Sequence, residues 1–240
     1  MARRAAVLYS GGKDSTLALH RVHPLYRVEC LVTFQPRSEE SMLFHYPNTR
    51  LVELQARALE LPIITRRSSD TAEDELEALE DALRQARKDY GVEGVVTGAV
   101  KSRYQQEKFS EVCRKLGLEV VSPLWMRDEV ELLREVVETG IVAIITRIGA
   151  YPLKLDLLGR QIDDEVISYL AGLRHMLNPS GEGGEYETFV IDAPLFKKRI
   201  GILKKRIVGR DYDASLIIEE AFLEDKTPSK RLNIGKTEQL

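Results

Sequence analysis

Val7-Leu8-Tyr9-Ser10-Gly11-Gly12-Lys13-Asp14-Ser15-Thr16 is the stretch on which the reading of the whole chain turns. The apolar run Ala5 to Tyr9 predicts a buried strand, and Ser15 to His23 predicts a helix that begins directly after two glycines. Strand, glycine turn and helix N-terminus together make a corner suited to anions. Glycine lets the backbone bend and approach closely, the first-turn N–H groups lack partners inside the helix, and the helix dipole favours negative charge. Lys13 adds a point charge, and Ser10 and Ser15 add hydroxyls. The Walker A pattern G-x-x-x-x-G-K-[ST] would need glycine at position 7 and Ser or Thr at position 14, where this chain has Val7 and Asp14. The loop is an anion site of another kind.

Working outward, Val28 to Phe34, Ile63 to Thr65, Gly94 to Gly98 and Leu118 to Val121 predict four further strands. Helical patterns lie between them. One runs through Leu59 with Leu51, Leu54 and Ala58 on one face and Asn48 or Thr49 as its cap. A second starts at Asp70 or Thr71 and carries Leu76, Leu79, Leu83, Ala86 and Tyr90 at spacings of three and four, and a third ends near Gly117. This alternation predicts a Rossmann-like (HUP-type) α/β domain over residues 1–122, a parallel sheet with helices on both faces. Beyond Pro123 the pattern changes. Helices are expected at Asp128 to Glu138 and Asp163 to Leu177, with strands at Ile141 to Ile145, Thr188 to Ile191, Arg199 to Val208 and Ser215 to Phe222. The last three are joined by turns, which predicts a smaller α+β C-terminal domain over residues 123–225 and a polar tail at 226–240.

The 240 residues, 43% hydrophobic and 30% charged, are those of an ordinary globular protein with room for a real core. No apolar run approaches the ~20 residues of a bilayer span. Met1-Ala2-Arg3-Arg4 leads straight into a strand, so no signal peptide and a cytoplasmic location are expected. Cys30 and Cys113 stand far apart, which supports neither a disulfide framework nor a thiolate zinc site. A net charge of −3 gives no global reason to expect a stable nucleic-acid partner.

Four further features stand out. Ser102-Arg103-Tyr104-Gln105 follows the fourth strand at the sheet edge where α/β proteins bind ligands, so Ser102 could reach a nucleotide or substrate and Tyr104 could stack or donate. A helix start, with Ser capping and Tyr packing, explains them equally. Gly181-Glu182-Gly183-Gly184-Glu185-Tyr186-Glu187-Thr188 gathers carboxylates and glycines directly before a strand. It suits a cation, either Mg²⁺ or a trimethylammonium that could also use the Tyr186 face; an acidic flexible turn is the plainer reading. His45 could be a base, a substrate contact or a solvated side chain. The basic run Lys197 to Arg206 could meet an acidic or RNA-bearing partner, but a solvated strand face is the commoner reading of such charge.

Ser10-Gly11-Gly12-Lys13-Asp14-Ser15 resembles the PP-loop of N-type ATP pyrophosphatases, which hold the pyrophosphate end of ATP and leave the α-phosphorus open. The whole chain is similar to the diphthine–ammonia ligase family of the archaeal type. The likeness continues through Glu39-Glu40-Ser41, His45, Leu54-Gln55-Ala56-Arg57-Ala58-Leu59, Gly98-Ala99-Val100, Ser102, Tyr104-Gln105, Leu158-Gly159-Arg160, the glycine–glutamate box and Ile217-Ile218-Glu219-Glu220-Ala221. The resemblance implies ATP and Mg²⁺ as cofactors, and ammonium and diphthine-bearing translation elongation factor two as substrates; a homodimer is allowed. It implies that Ser10, Gly11, Gly12, Lys13, Asp14, Ser15, Thr33 and Gly98 hold the nucleotide, with Thr33 and Gly98 at strand ends and Asp14 on the metal. Lys13, Asp14 and Ser102 would serve catalysis. His45, Tyr104, Gln105, Glu182, Glu185, Tyr186, Glu187 and Thr188 would receive the substrate. Two rivals stay open: a PP-loop enzyme that adenylates tRNA for thiolation, and a nucleotide-binding regulatory module without catalysis.

Overall fold

The first strand, β1 (Arg3–Leu8), alternates its side chains between two apolar clusters: Ala5 and Val7 enter one, Ala6 and Leu8 the other. That period of two, with both faces apolar, is what a central parallel strand requires. The computed structural model describes residues 2–36, 48, 51–68 and 71–226 and places β1 in the middle of a five-stranded sheet. Its neighbours are β2 (Tyr26–Pro36), β3 (Ile63–Ser68), β4 (Gly94–Val96) and β5 (Glu119–Val121), in the order β3-β2-β1-β4-β5 with every pairing parallel. The helices between them are α1 (Lys13–Val22), α2 (Val52–Leu59), α3 (Ala72–Tyr90) and α4 (Arg103–Lys115).

Helices cover both faces of this sheet, as the alternating pattern predicts. Leu79, Leu83 and Ala86 of α3 and Phe109, Val112 and Cys113 of α4 close one face. Leu17, Ala18 and Leu19 of α1 and Val52, Ala56 and Leu59 of α2 cover the other. Thr71 accepts a hydrogen bond from the Asp74 amide at 3.2 Å and so caps α3, acidic residues follow in the first turn, and Gly91 ends the helix at φ +63°.

The second half builds α5 (Glu129–Glu138), β6 (Val142–Ile148), α6 (Asp164–Gly172), β7 (Tyr186–Asp192), β8 (Lys198–Arg210) and β9 (Asp213–Asp225). Asp128 and Asp163 cap the two helices. The four strands form an antiparallel sheet ordered β7-β6-β9-β8. Its inner face does not have a core of its own. Ile145, Phe189, Val190, Leu216 and Ile218 belong to the same cluster as Val7, Leu17 and Val52, so the second sheet packs onto the α1–α2 side of the first.

Several sequence expectations shift. Asn48 does not cap α2, which begins at Leu51 without a side-chain cap; Asn48 is buried at φ +68°. Its amide instead bonds the Leu216 carbonyl and the Ile218 amide, each at 3.0 Å, and pins the approach to α2 against β9. The helix expected over 163–177 stops at Gly172 and continues as turns. Neither Thr33 nor Gly98 ends its strand: β2 runs on to Pro36, and β4 stops at Val96. The basic run of β8, by contrast, is a solvated strand face as expected, its exposed bases pairing across to β9: Arg199–Glu224 at 2.8 Å, Lys204–Glu219 at 3.0 Å and Arg206–Glu219 at 2.8 Å.

Candidate active site

The loop between β1 and α1 lies at the carboxyl edge of the central strand, where an open parallel sheet takes its ligands. Gly11 adopts φ +83°, and a Cβ there would stand 2.3 Å from Gln55 Oε1. Glycine is required on both counts. Gly12 opens α1, its carbonyl accepting from the Thr16 hydroxyl at 2.9 Å and the Ser15 hydroxyl at 3.2 Å. Ser10 and Ser15 lie 3.2 Å apart through their hydroxyls.

Strand β7 is stitched to this loop at three levels. The Val190 amide donates to the Gly11 carbonyl at 2.9 Å, and the Lys13 amide donates to Thr188 Oγ1 at 3.1 Å. Lys13 is only 4% exposed: its ammonium bonds Asp14 Oδ2 at 2.7 Å and the Ser180 carbonyl, and lies 5.3 Å from the centroid of the Tyr186 ring. Burial works against the charged form, but Asp14, Tyr186 and Glu182 outweigh it and raise the pKa above the ordinary lysine value. The second oxygen of Asp14, Oδ1, is buried and has no hydrogen-bond partner.

The glycine–glutamate box divides its acids among different tasks. Glu182 Oε2 accepts from the Lys101 amide at 3.1 Å and the Val100 amide at 3.4 Å, which fastens the box to the turn after β4. Burial, and then the Asp14 carboxylate, hold Glu182 above the usual carboxylate range against those two donors. Glu185 spends both oxygens inside its own loop, on the Asn178 amide at 2.9 Å and the Gly183 amide at 2.8 Å. Tyr186 is buried, its hydroxyl donating to the Pro179 carbonyl at 2.7 Å and its ring beneath Lys13. Glu187 sits on β7 opposite Arg147 in the strand register.

The structure therefore brings together Ser10, Gly11, Gly12, Lys13, Asp14, Ser15, Glu182, Tyr186 and Thr188, while Glu185 serves loop closure. Gly98 packs directly on the start of α1, where a Cβ would come 2.8 Å from the Ser15 nitrogen. Thr33 is buried with an unpartnered hydroxyl, on β2 beside the end of β1. Ser102 precedes α4 and its carbonyl accepts from the Gln106 amide at 3.0 Å. Tyr104 packs against the α3–α4 cluster. His45 and the Gln105 side chain lie outside the described residues.

Gln55 escaped the sequence reading as a site residue. Fully buried on α2, it donates to the Gly11 carbonyl at 2.9 Å and the Val190 carbonyl at 2.7 Å, locking loop and strand together. Its signal was available: a glutamine in the row Val52, Gln55, Ala56, Leu59 interrupts an otherwise apolar helix stripe. Asn178, which nothing in the sequence marked as a site residue, accepts through Oδ1 from the Ser180 amide at 2.9 Å and the Ser180 hydroxyl at 2.7 Å.

The class is that of parallel α/β proteins with an anion-receptive glycine loop on the central strand, here covered by a second, antiparallel sheet. Residues 3–120 match the diphthamide synthase N-terminal domain family and residues 128–222 the diphthamide synthase C-terminal domain family. The chain is 33% identical over 253 residues to the diphthine–ammonia ligase of Homo sapiens, covering 94% of each chain. It is 32% identical over 254 residues to that of Danio rerio, covering 95% of this chain and all of the fish protein. This chain belongs to the diphthine–ammonia ligase family. A solved structure described as a predicted subunit of tRNA methyltransferase from Methanocaldococcus jannaschii has a TM-score of 0.43 at 15% identity over 80% of this chain and 98% of its own.

Proposed function

We propose that the protein amidates diphthine on translation elongation factor two with ATP and ammonium, releasing AMP and pyrophosphate. An amide cannot form readily from a carboxylate, whose oxygen is a poor leaving group. Attack of the diphthine carboxylate on the α-phosphorus would give an acyl-adenylate and pyrophosphate; ammonia would then displace AMP. In this reading residues 1–122 bind the nucleotide, residues 123–225 present the acceptor, and the reaction runs in the cytoplasm. The observation that carries it is the stitching of the glycine–glutamate box onto the glycine loop through Val190, Thr188, Ser180 and Tyr186. A module that only bound nucleotide would not need this contact, whereas an acceptor carboxylate must meet the α-phosphorus.

Lys13 and the loop amides would stabilise charge on the departing pyrophosphate, and Ser10 and Ser15 would add hydroxyl donors. Thr33 and Gly98 would flank the nucleoside, with the unpartnered Thr33 hydroxyl as the polar contact. Ser102 would approach the phosphates or the acceptor from the start of α4. The acidic box would face the trimethylammonium of diphthine, and Glu185, whose oxygens are spent inside its own loop, is the acid least available for it. Among the described residues no group of three or more His, Cys, Asp or Glu is arranged to hold a metal. The buried, unpartnered Asp14 Oδ1 does suit Mg²⁺ that takes its remaining ligands from phosphates and water. When bound, Mg²⁺ would neutralise phosphate charge there.

The thiolation rival needs a reactive thiol, yet Cys30 and Cys113 are buried and burial pushes both thiols up to about 12. Among the described residues no helix is long and apolar enough to cross a membrane. The test is pyrophosphate and AMP release from ATP and ammonium, with and without the diphthine-bearing factor. Release that requires the diphthine form and drops at least ~100-fold in Lys13→Ala is the expected result. Release driven by tRNA instead, or ATP binding without release under any acceptor, overturns the proposal.

A further inference from the structure

The ammonium of Lys13 rests in a cradle formed by Asp14, Ser180 and Tyr186. Asp14 Oδ2 lies 2.7 Å away, the Ser180 carbonyl accepts from it, and the Tyr186 ring lies 5.3 Å from Nζ. Glu182 adds negative potential. The cradle is preorganised: the Tyr186 hydroxyl is tied to Pro179, and Ser180 is tied to Asn178 by its amide and hydroxyl. One carboxylate, one carbonyl and one aromatic face make the coordination of a small ammonium ion, because the ring offers a π face to a cation. A ring is a poor neighbour for Mg²⁺, which demands oxygen ligands in a near-octahedral shell.

Lys13 is also the side chain that the pyrophosphate of ATP should draw away. Resting on the ligase reading above, we infer that the cradle of Asp14, Ser180 and Tyr186 is the binding site of the co-substrate ammonium, with Lys13 as its occupant until ATP binds. Binding is then ordered. ATP takes the lysine, the cradle opens beside the nucleotide, and ammonium enters next to the acyl-adenylate. The device keeps ammonium out until there is something to aminate. Asp14 has an oxygen for each partner: Oδ2 faces the cradle, and Oδ1 stays free for the metal.

The test reads binding rather than turnover, so it separates from the pyrophosphate assay. Thermal midpoints are measured at constant ionic strength in ammonium chloride, sodium chloride, tetramethylammonium chloride and magnesium chloride. In Lys13→Ala the cradle is vacated, and ammonium should raise the midpoint over sodium by about 3–6 °C once it exceeds its Kd about tenfold. Wild type should show no such difference alone and should gain it with the α,β-methylene analogue of ATP; that arm carries the test if Lys13→Ala folds poorly. No ammonium-specific shift in either arm overturns the inference. So does an equal shift in wild type without nucleotide, which would put the ion elsewhere. A shift with tetramethylammonium or magnesium but not ammonium also overturns it, by giving the cradle to diphthine or to the metal. Loss of diphthine-dependent pyrophosphate release alongside a positive ammonium shift would strike the ligase reading and leave the cation site standing.

Discussion

The two faces of the parallel sheet are built alike and used differently. On one, α3 and α4 complete an apolar cluster from residues of the first half alone. On the other, α1 and α2 leave the cluster open, and β6, β7 and β9 finish it. The candidate site forms along the seam of the second face, where loop, α2 and β7 exchange hydrogen bonds. A closed face supplies stability; a shared face places two binding elements against each other.

Paired truncations would break that comparison if it is wrong. Leu83→Ala in the closed cluster should destabilise by about 2–5 kcal/mol, read by denaturant unfolding, and leave the KM for ATP unchanged. Leu17→Ala, on the helix that follows the loop, should cost a similar amount and also raise that KM. Equal KM effects from both would erase the distinction. Next in size is Gly98→Ala. Its Cβ would meet the Ser15 nitrogen at 2.8 Å and the Asp14 carbonyl carbon at 2.9 Å, backbone atoms with little freedom to yield. It should cost about 1–3 kcal/mol by overpacking and weaken nucleotide binding in calorimetric titration. Thr188→Val keeps the shape of the side chain but removes the acceptor of the Lys13 amide. About 1 kcal/mol of stability should go, and a larger effect on ATP binding than on unfolding would sharpen the claim that the seam is functional.

The smallest effect concerns His20, which bridges the two halves. Its Nδ1–H donates to the Thr16 carbonyl at 2.7 Å, and its Nε2 accepts from the Leu195 amide at 3.3 Å. Burial lowers its pKa from the usual 6.5, helped by His23 and Lys226, against the Thr16 contact. The unfolded chain therefore takes up the proton first. The contribution is complete above pH 6.5 and is lost as pH falls through the depressed folded value. Melting between pH 7 and pH 5 should show that loss in wild type and less of it in His20→Gln.

Much of this was legible in the chain. The two-residue alternation of β1, the three-and-four spacing of α3 and the glycines of the loop are local signals, set by periodicity and by backbone freedom. The seam was not legible, because its bonds join residues far apart in the sequence. Lys13 and Ser180 announce nothing to each other, and a carboxylate in a glycine-rich turn does not declare whether it reaches a distant turn, as Glu182 does, or its own loop, as Glu185 does. Asn48 misled for the same reason: a residue with good capping chemistry found distant partners on β9.

The open face also sets an order for synthesis. The closed cluster has all its members once Leu118 has been made, whereas the shared one waits for Ile218, about a hundred residues later. At typical elongation rates that delay is roughly five to twenty seconds, during which the shared cluster lacks the residues that β6, β7 and β9 contribute. A nascent chain paused in that window should be the state most readily captured by chaperones.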